Sequence, residues 1–225
     1  MMKPETKSWL LTFLAGFLAT VLGIVLTFGI ESRINTRKRV KTAHLLAEQI
    51  VGKMEGTYGE LNEYLDIYKS IDSTSMILHL AIQADTLEHV DESVAETFLV
   101  NSLSEYVQND VDGGLDAYLT EIMNTIGDVE LIGHIDRFYA LARQCVKVSQ
   151  QVIDQKRVVA DNVYARFYGT GNSVTNWDYV RYLHELPEYN VFYSRLQSAM
   201  YPLKEGEKLM QEELEACKII LSASK

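Results

Sequence analysis

The hydrophobic pattern divides the chain into one unbroken apolar run and a long series of amphipathic stretches. From Trp9 to Ile30 it reads WLLTFLAGFLATVLGIVLTFGI, 22 residues without a charge. At about 1.5 Å per residue such a helix is roughly 33 Å long, matching a bilayer hydrocarbon core of about 30 Å. Its polar groups are Thr12, Thr20 and Thr27, whose hydroxyls bond back to helix carbonyls, and Trp9 stands where an interfacial aromatic anchor belongs. A cleaved signal peptide is the competing reading. The run exceeds the usual h-region, and a basic cluster follows it in place of a small-residue cleavage site, so an anchor is expected.

Beyond the run, Val40, His44, Ala47, Val51, Met54, Tyr58, Leu61, Leu65 and Tyr68 recur at alternating spacings of four and three. This heptad-like seam suits either a coiled coil continuing the membrane helix or the core-facing stripe of a long domain helix. Gly52, Gly56 and Gly59 weaken a free-standing coil and favour the second. The stretch Ser70–Ser75 is expected to end this helix, with Asp72 or Ser73 capping a short one over 76–84. A helix over 92–108 follows the cap Asp91, then a turn at Asn109–Gly114 and a helix from Leu115 to near Gly127. Asp128 caps the longest pattern, 129–168, along which Ile135, Phe138, Ala142, Cys145, Val152, Val159, Val163 and Phe167 keep helical spacing. Gly169–Asn172 is expected to break it. Thr175 and Asp178 stand in capping-box positions before a helix at 177–185. Pro187 and Pro202 are expected to interrupt what remains, leaving a last helix at 203–221. No stretch alternates strictly enough to predict a strand. The fold class expected is all-α: a short tail (1–8), a transmembrane helix (9–30), a basic juxtamembrane segment (31–41) and an acidic helical bundle with long helices (42–225).

Charge sharpens this division. Of the 21 Lys and Arg, seven lie at or before Lys41; from Thr42 onward 14 basic residues face 29 acidic ones, a net of −15. Such a domain repels phosphate backbones, which argues against nucleic acid as a partner. Lys3 and Lys7 precede the span, and Arg33, Arg37, Lys38, Arg39 and Lys41 follow it. The positive-inside rule therefore predicts that the helical domain is cytosolic. Within the span Gly16, Ala19, Thr20, Gly23 and Thr27 recur at spacings of three and four, forming the small-residue stripe along which membrane helices pack closely. The bland alternative is that glycine is simply common in such helices.

Candidate chemistry is sparse. Asp110, Asp112, Asp116 and Glu121 suggest an EF-hand register, but Gly114 and Leu115 occupy its fifth and sixth places, where a ligand and the turn glycine are needed, so calcium is rejected. His44, His79, His89, His134 and His184 show no metal-ligand spacing, and phosphate loops, nucleophile elbows and kinase signatures are absent. Neither a metal, a cofactor nor a catalytic residue is assigned, and no enzyme is expected. Cys145 and Cys217 read as buried free thiols, which suit a reducing compartment. Tyr164, Tyr168, Tyr179, Tyr182, Tyr189, Tyr193 and Tyr201 are either an interface patch or, as preferred, the inner lining of a bundle.

Two stretches, VLGIVLTFGIESRINTRKR (21–39) and NTIGDVELIGHIDRFYALARQ (124–144), resemble an uncharacterised bacterial family of small single-pass membrane proteins with an N-terminal span and a helical domain. They cover under a fifth of the chain, and Glu31-Ser32-Arg33 stands where that resemblance leads one to expect a tryptophan-containing boundary. The likeness implies a bacterial inner membrane and carries no site residues. The function expected is a membrane-anchored, self-associating interaction module (scaffold, sensor or accessory subunit) with the lipid bilayer, a second copy and a protein partner as its contacts. An oligomeric membrane effector or pore, and an enzyme with an unrecognised site, are the alternatives.

Overall fold

The computed structural model describes residues 4–104, 120, 128–168 and 174–223, and for residues 4–37 the helical backbone alone. Among these residues the regular structure is entirely helical: α1 (Pro4–Gln83), α2 (Glu92–Leu103), α3 (Val129–Phe167), α4 (Asn176–Glu185) and α5 (Pro187–Ala223), with one 3₁₀ turn at Leu87–His89. The turn at Asn109–Gly114, the helix over 115–127, the rejected calcium loop and the break at Gly169–Asn172 lie outside the described residues.

Helix α1 runs without interruption across both boundaries predicted for the juxtamembrane segment. It also runs through Ser70–Ser75, which corrects the expectation of a break there. Polar residues end a helix when their side chains compete for its backbone. Here Ser73 and Thr74 donate their hydroxyls to the Ser70 carbonyl, and the buried Ser75 hydroxyl pairs with Tyr189 at 2.7 Å. Ile71 and Leu78 carry the core stripe through the stretch. The helix ends instead at a Schellman turn, where Thr86 N–H bonds the Ala81 carbonyl, Asp85 N–H bonds that of Ile82, and Asp85 takes the left-handed conformation at φ 54°.

Three long helices form the body. Ion pairs, hydrogen bonds and packing fix their directions: Glu55–Lys218, Tyr58–Glu207, Asp72–Tyr193 and Ser75–Tyr189 make α1 and α5 antiparallel, and Arg137–Glu213 together with the approach of Cys145 to Gly206 does the same for α3 and α5. In the α1 seam Ala47, Val51, Met54, Leu61, Leu65 and Tyr68 are buried together with Ala43 and Ile50. Val40 is exposed, while His44 and Tyr58 are half-buried. The seam is therefore the core stripe of a domain helix. On α3 two heptad rows are buried, Leu131, Phe138, Cys145, Val152 and Val159 beside Ile135, Ala142, Ser149, Lys156 and Val163. On α5 Tyr189, Leu196, Leu203, Met210 and Cys217 face them.

The expected caps of α2, α3 and α4 form. Asp91 accepts from Ser93 N–H, Asp128 from Leu131 N–H, and Thr175 with Asp178 closes a reciprocal capping box. Helix α2 stops at Leu103, short of the expected end at 108. The expected interruption at Pro187 forms, since α4 ends at Glu185 and Pro187 takes the first position of α5, where no N–H is needed; the expected break at Pro202 is corrected, because Pro202 lies inside α5. Pro202 and Ser198, whose carbonyl loses its i+4 donor, are both exposed, which leaves the orphan on the solvent side while packing on either side holds the helix. Pro202→Ala is accordingly expected to raise stability by about 1–2 kcal/mol, measured by chemical unfolding of the full chain.

Candidate functional site

Gly16, Ala19, Thr20, Gly23, Thr27, Arg33 and Arg37 are described by their helical backbone alone, as is the whole predicted span at 9–30. Among the described residues no helix is long and apolar enough to cross a membrane. Lys38, Arg39 and Lys41 are exposed on α1. Further along the same helix, a Cβ added at Gly52, Gly56 or Gly59 would meet nothing within 4 Å. These three glycines form an open face. Each stands 36 residues after Gly16, Thr20 and Gly23 in turn, which is ten turns at 3.6 residues per turn.

At the far end of the bundle the structure gathers residues that sequence spacing kept apart. His79 of α1 and His184 of α4 stack with ring centroids 5.9 Å apart, and His184 also packs against Phe98 and Tyr189. The His184 Nδ1 bonds the Val180 carbonyl at 3.0 Å, so this nitrogen carries the proton of the neutral ring, while Nε2 is buried with no partner. Burial first, and then the neighbouring His79, hold the His184 pKa below its ordinary value. Near the other end, His134 and Arg137 converge on Glu213; burial alone would raise that carboxyl, but its two basic partners bring it below the usual range. Among the described residues no group of three or more His, Cys, Asp or Glu could hold a metal ion.

The tyrosines divide. Tyr189 is buried and Tyr179, Tyr182 and Tyr193 are half-buried against the core, as a bundle lining requires. Tyr164, Tyr168 and Tyr201 are exposed, which corrects the uniform lining reading for those three. Cys145 and Cys217 are both free and buried, as expected. Burial pushes the Cys145 thiol up to about 11; burial, with the Glu213 charge nearby, pushes Cys217 up to about 12. Neither is a poised nucleophile.

Two of the exposed tyrosines, Tyr164 and Tyr168, border a cleft of about 420 Å³ between α2, the end of α3 and the start of α4. Leu99, Val100, Leu103, Val163, Phe167 and Tyr179 give it apolar and aromatic walls. A second chamber of about 110 Å³ adjoins it, sharing Leu103, Ser104 and Tyr164. Lys156 lines this chamber, only 5% exposed, at a heptad position where an apolar residue belongs. Its amine donates to the Asn101 carbonyl at 2.6 Å, one of the last carbonyls of α2, so the lysine caps that helix. Burial lowers its pKa to about 7. Ser104, in the same chamber, has a buried hydroxyl with no hydrogen-bond partner. The sequence signal for Lys156 was present, because it falls seven residues after Ser149 and three before Val159 on the buried stripe. Its charge masked it.

No family model matches the chain, and no curated protein or solved structure matches it.

Proposed function

We propose that this chain is a membrane-anchored helical module that self-associates along α1 and presents its bundle to a protein partner. The observation that supports it best is the continuity of α1, one helix from Pro4 to Gln83. The 22 uncharged residues at 9–30 lie on the same rod whose later turns build the core, so rotation or packing at one end is transmitted stiffly to the other. The open face of Gly52, Gly56 and Gly59 lets a second α1 approach closely, and the 36-residue register lines it up with Gly16, Thr20 and Gly23. Small residues lower the distance between helix backbones, and inside lipid this packing acts without a hydrophobic driving force. The basic residues Arg33, Arg37, Lys38, Arg39 and Lys41 favour a cytosolic bundle, and the family resemblance favours a bacterial inner membrane.

Substitution along the stripe tests this. Gly23→Leu and Gly56→Leu should each weaken association by about 1–2 kcal/mol, visible as a shift from oligomer to monomer in detergent or in a membrane two-hybrid assay. Val25→Leu lies off the stripe and should assemble like the unaltered chain. Wild-type assembly of both glycine variants would leave the span as an anchor only.

A further inference from the structure

We propose that the cleft between α2, α3 and α4 binds a single-chain amphiphilic anion of the fatty-acid type, its carboxylate at Lys156 and Ser104 and its chain along Leu99, Val100, Leu103 and Phe167. Three observations converge on this chemistry. The larger chamber is walled mostly by aliphatic and aromatic side chains and falls within the volume range of small-molecule sites. The smaller chamber carries the polar end: a lysine in place of a core apolar residue, and a buried hydroxyl with no partner. Leu103, Ser104 and Tyr164 belong to both, so one molecule with a polar head and an apolar tail spans them. A carboxylate satisfies the Ser104 hydroxyl and accepts from the lysine, which keeps its bond to the Asn101 carbonyl.

Position selects the source. Asn101 donates to the Ser70 hydroxyl at 2.9 Å, which sets the lysine chamber level with residue 70 of α1. Forty residues of helix separate Ser70 from Ile30, a rise of about 60 Å. A lipid held in the bilayer does not reach that level, so the ligand arrives through water as a free monomer. The choice of source rests on the membrane reading above, whereas the head-and-tail chemistry stands without it.

The anion stabilises the protonated lysine, whose amine titrates at about 7 before binding, so binding takes up a proton. Among the described residues, Arg157, Asp161 and Tyr164 are the other titratable groups lining the chamber.

The test uses the full chain in nanodiscs of zwitterionic phosphatidylcholine, irradiated with decanoic acid bearing a chain diazirine, with labelled peptides mapped by mass spectrometry. Label is expected within 99–104 and 163–168, competed by decanoate and not by decanol at the same concentration. Competition by decanoate should weaken at least tenfold from pH 7 to pH 9. Lys156→Met should lose at least tenfold of the label. Val100→Trp, which fills the cleft from a position 62% exposed and so spares the core, should do the same with an unchanged circular dichroism spectrum. Label confined to 9–30, equal competition by decanol, or full labelling of both variants would overturn the site. Stronger competition by lysophosphatidylglycerol than by decanoate would overturn the water-borne source.

Discussion

Folding stability of the full chain is expected to rise between pH 6 and pH 9, and Lys156→Met is expected to remove most of the rise above pH 7. The Lys156 amine falls from 10.5 to about 7 on burial. Below pH 7 folded and unfolded chains both hold this proton. Between 7 and 10.5 the unfolded chain holds it and the folded chain has released it, so stability grows with pH by about 1.4 kcal/mol per unit. His184 acts in the same sense lower down: its folded pKa is depressed, so the stability of its neutral buried ring is lost as pH falls below the ordinary 6.5. The thiols oppose this above pH 9. Cys145 at about 11 and Cys217 at about 12 stay protonated in the fold while the unfolded thiols ionise at 9, so stability declines there. Burial raises Tyr189 as well, which adds to the decline above 10. The optimum therefore lies near pH 9, about 2–3 kcal/mol above the value at pH 7. Guanidinium unfolding followed by circular dichroism at each pH measures it. A slope that persists in Lys156→Met would assign the titration to another group.

Gly206→Ala is expected to destabilise the bundle by about 2 kcal/mol, lowering the melting temperature by roughly 4–8 °C. Gly206 is buried on α5, and a Cβ there would lie 2.3 Å from the Cys145 sulfur on α3. A non-bonded carbon and sulfur do not tolerate that distance. The thiol must rotate into neighbouring core or the two helices must separate along their shared seam. Alanine improves helix propensity by about 1 kcal/mol over glycine, so overpacking must exceed that gain for the sign to hold. A buried, short side chain with few alternative rotamers has little room to yield, and the net effect is a loss. Cys145→Ala removes the sulfur and should restore more than half of what Gly206→Ala loses. The double variant then separates close packing from any general intolerance of substitution in α5.

What could be read from the residues alone follows from how local each signal is. The α3 stripe, the caps at Asp91 and Asp128, and the Thr175–Asp178 box depend on neighbours within a few turns, and the structure reproduces them. Ser70–Ser75 and Pro202 misled because their local preference for a break is outweighed by tertiary packing. Ser75 is held by Tyr189 across the interface, and Pro202 keeps to the solvent face. The His79–His184 stack joins residues more than a hundred positions apart, which no spacing rule detects. Lys156 was legible as a position and illegible as a residue, since charged side chains are discounted when a core stripe is traced. The closeness of Gly206 to Cys145 likewise depends on how α3 and α5 cross, which neither helix encodes alone.

Self-association along α1 is tested most directly by disulfide cross-linking in native membranes. The variants carry a single cysteine at Gly52, Gly56 or Gly59, in a chain whose Cys145 and Cys217 are replaced by alanine. Lys53, exposed and about 100° around the helix from Gly52, is the control position. Oxidation is expected to give dimers at the three glycine positions, and few or none at Lys53. Absent dimers at all three glycines, or cross-linking as strong at Lys53, would contradict association along this face.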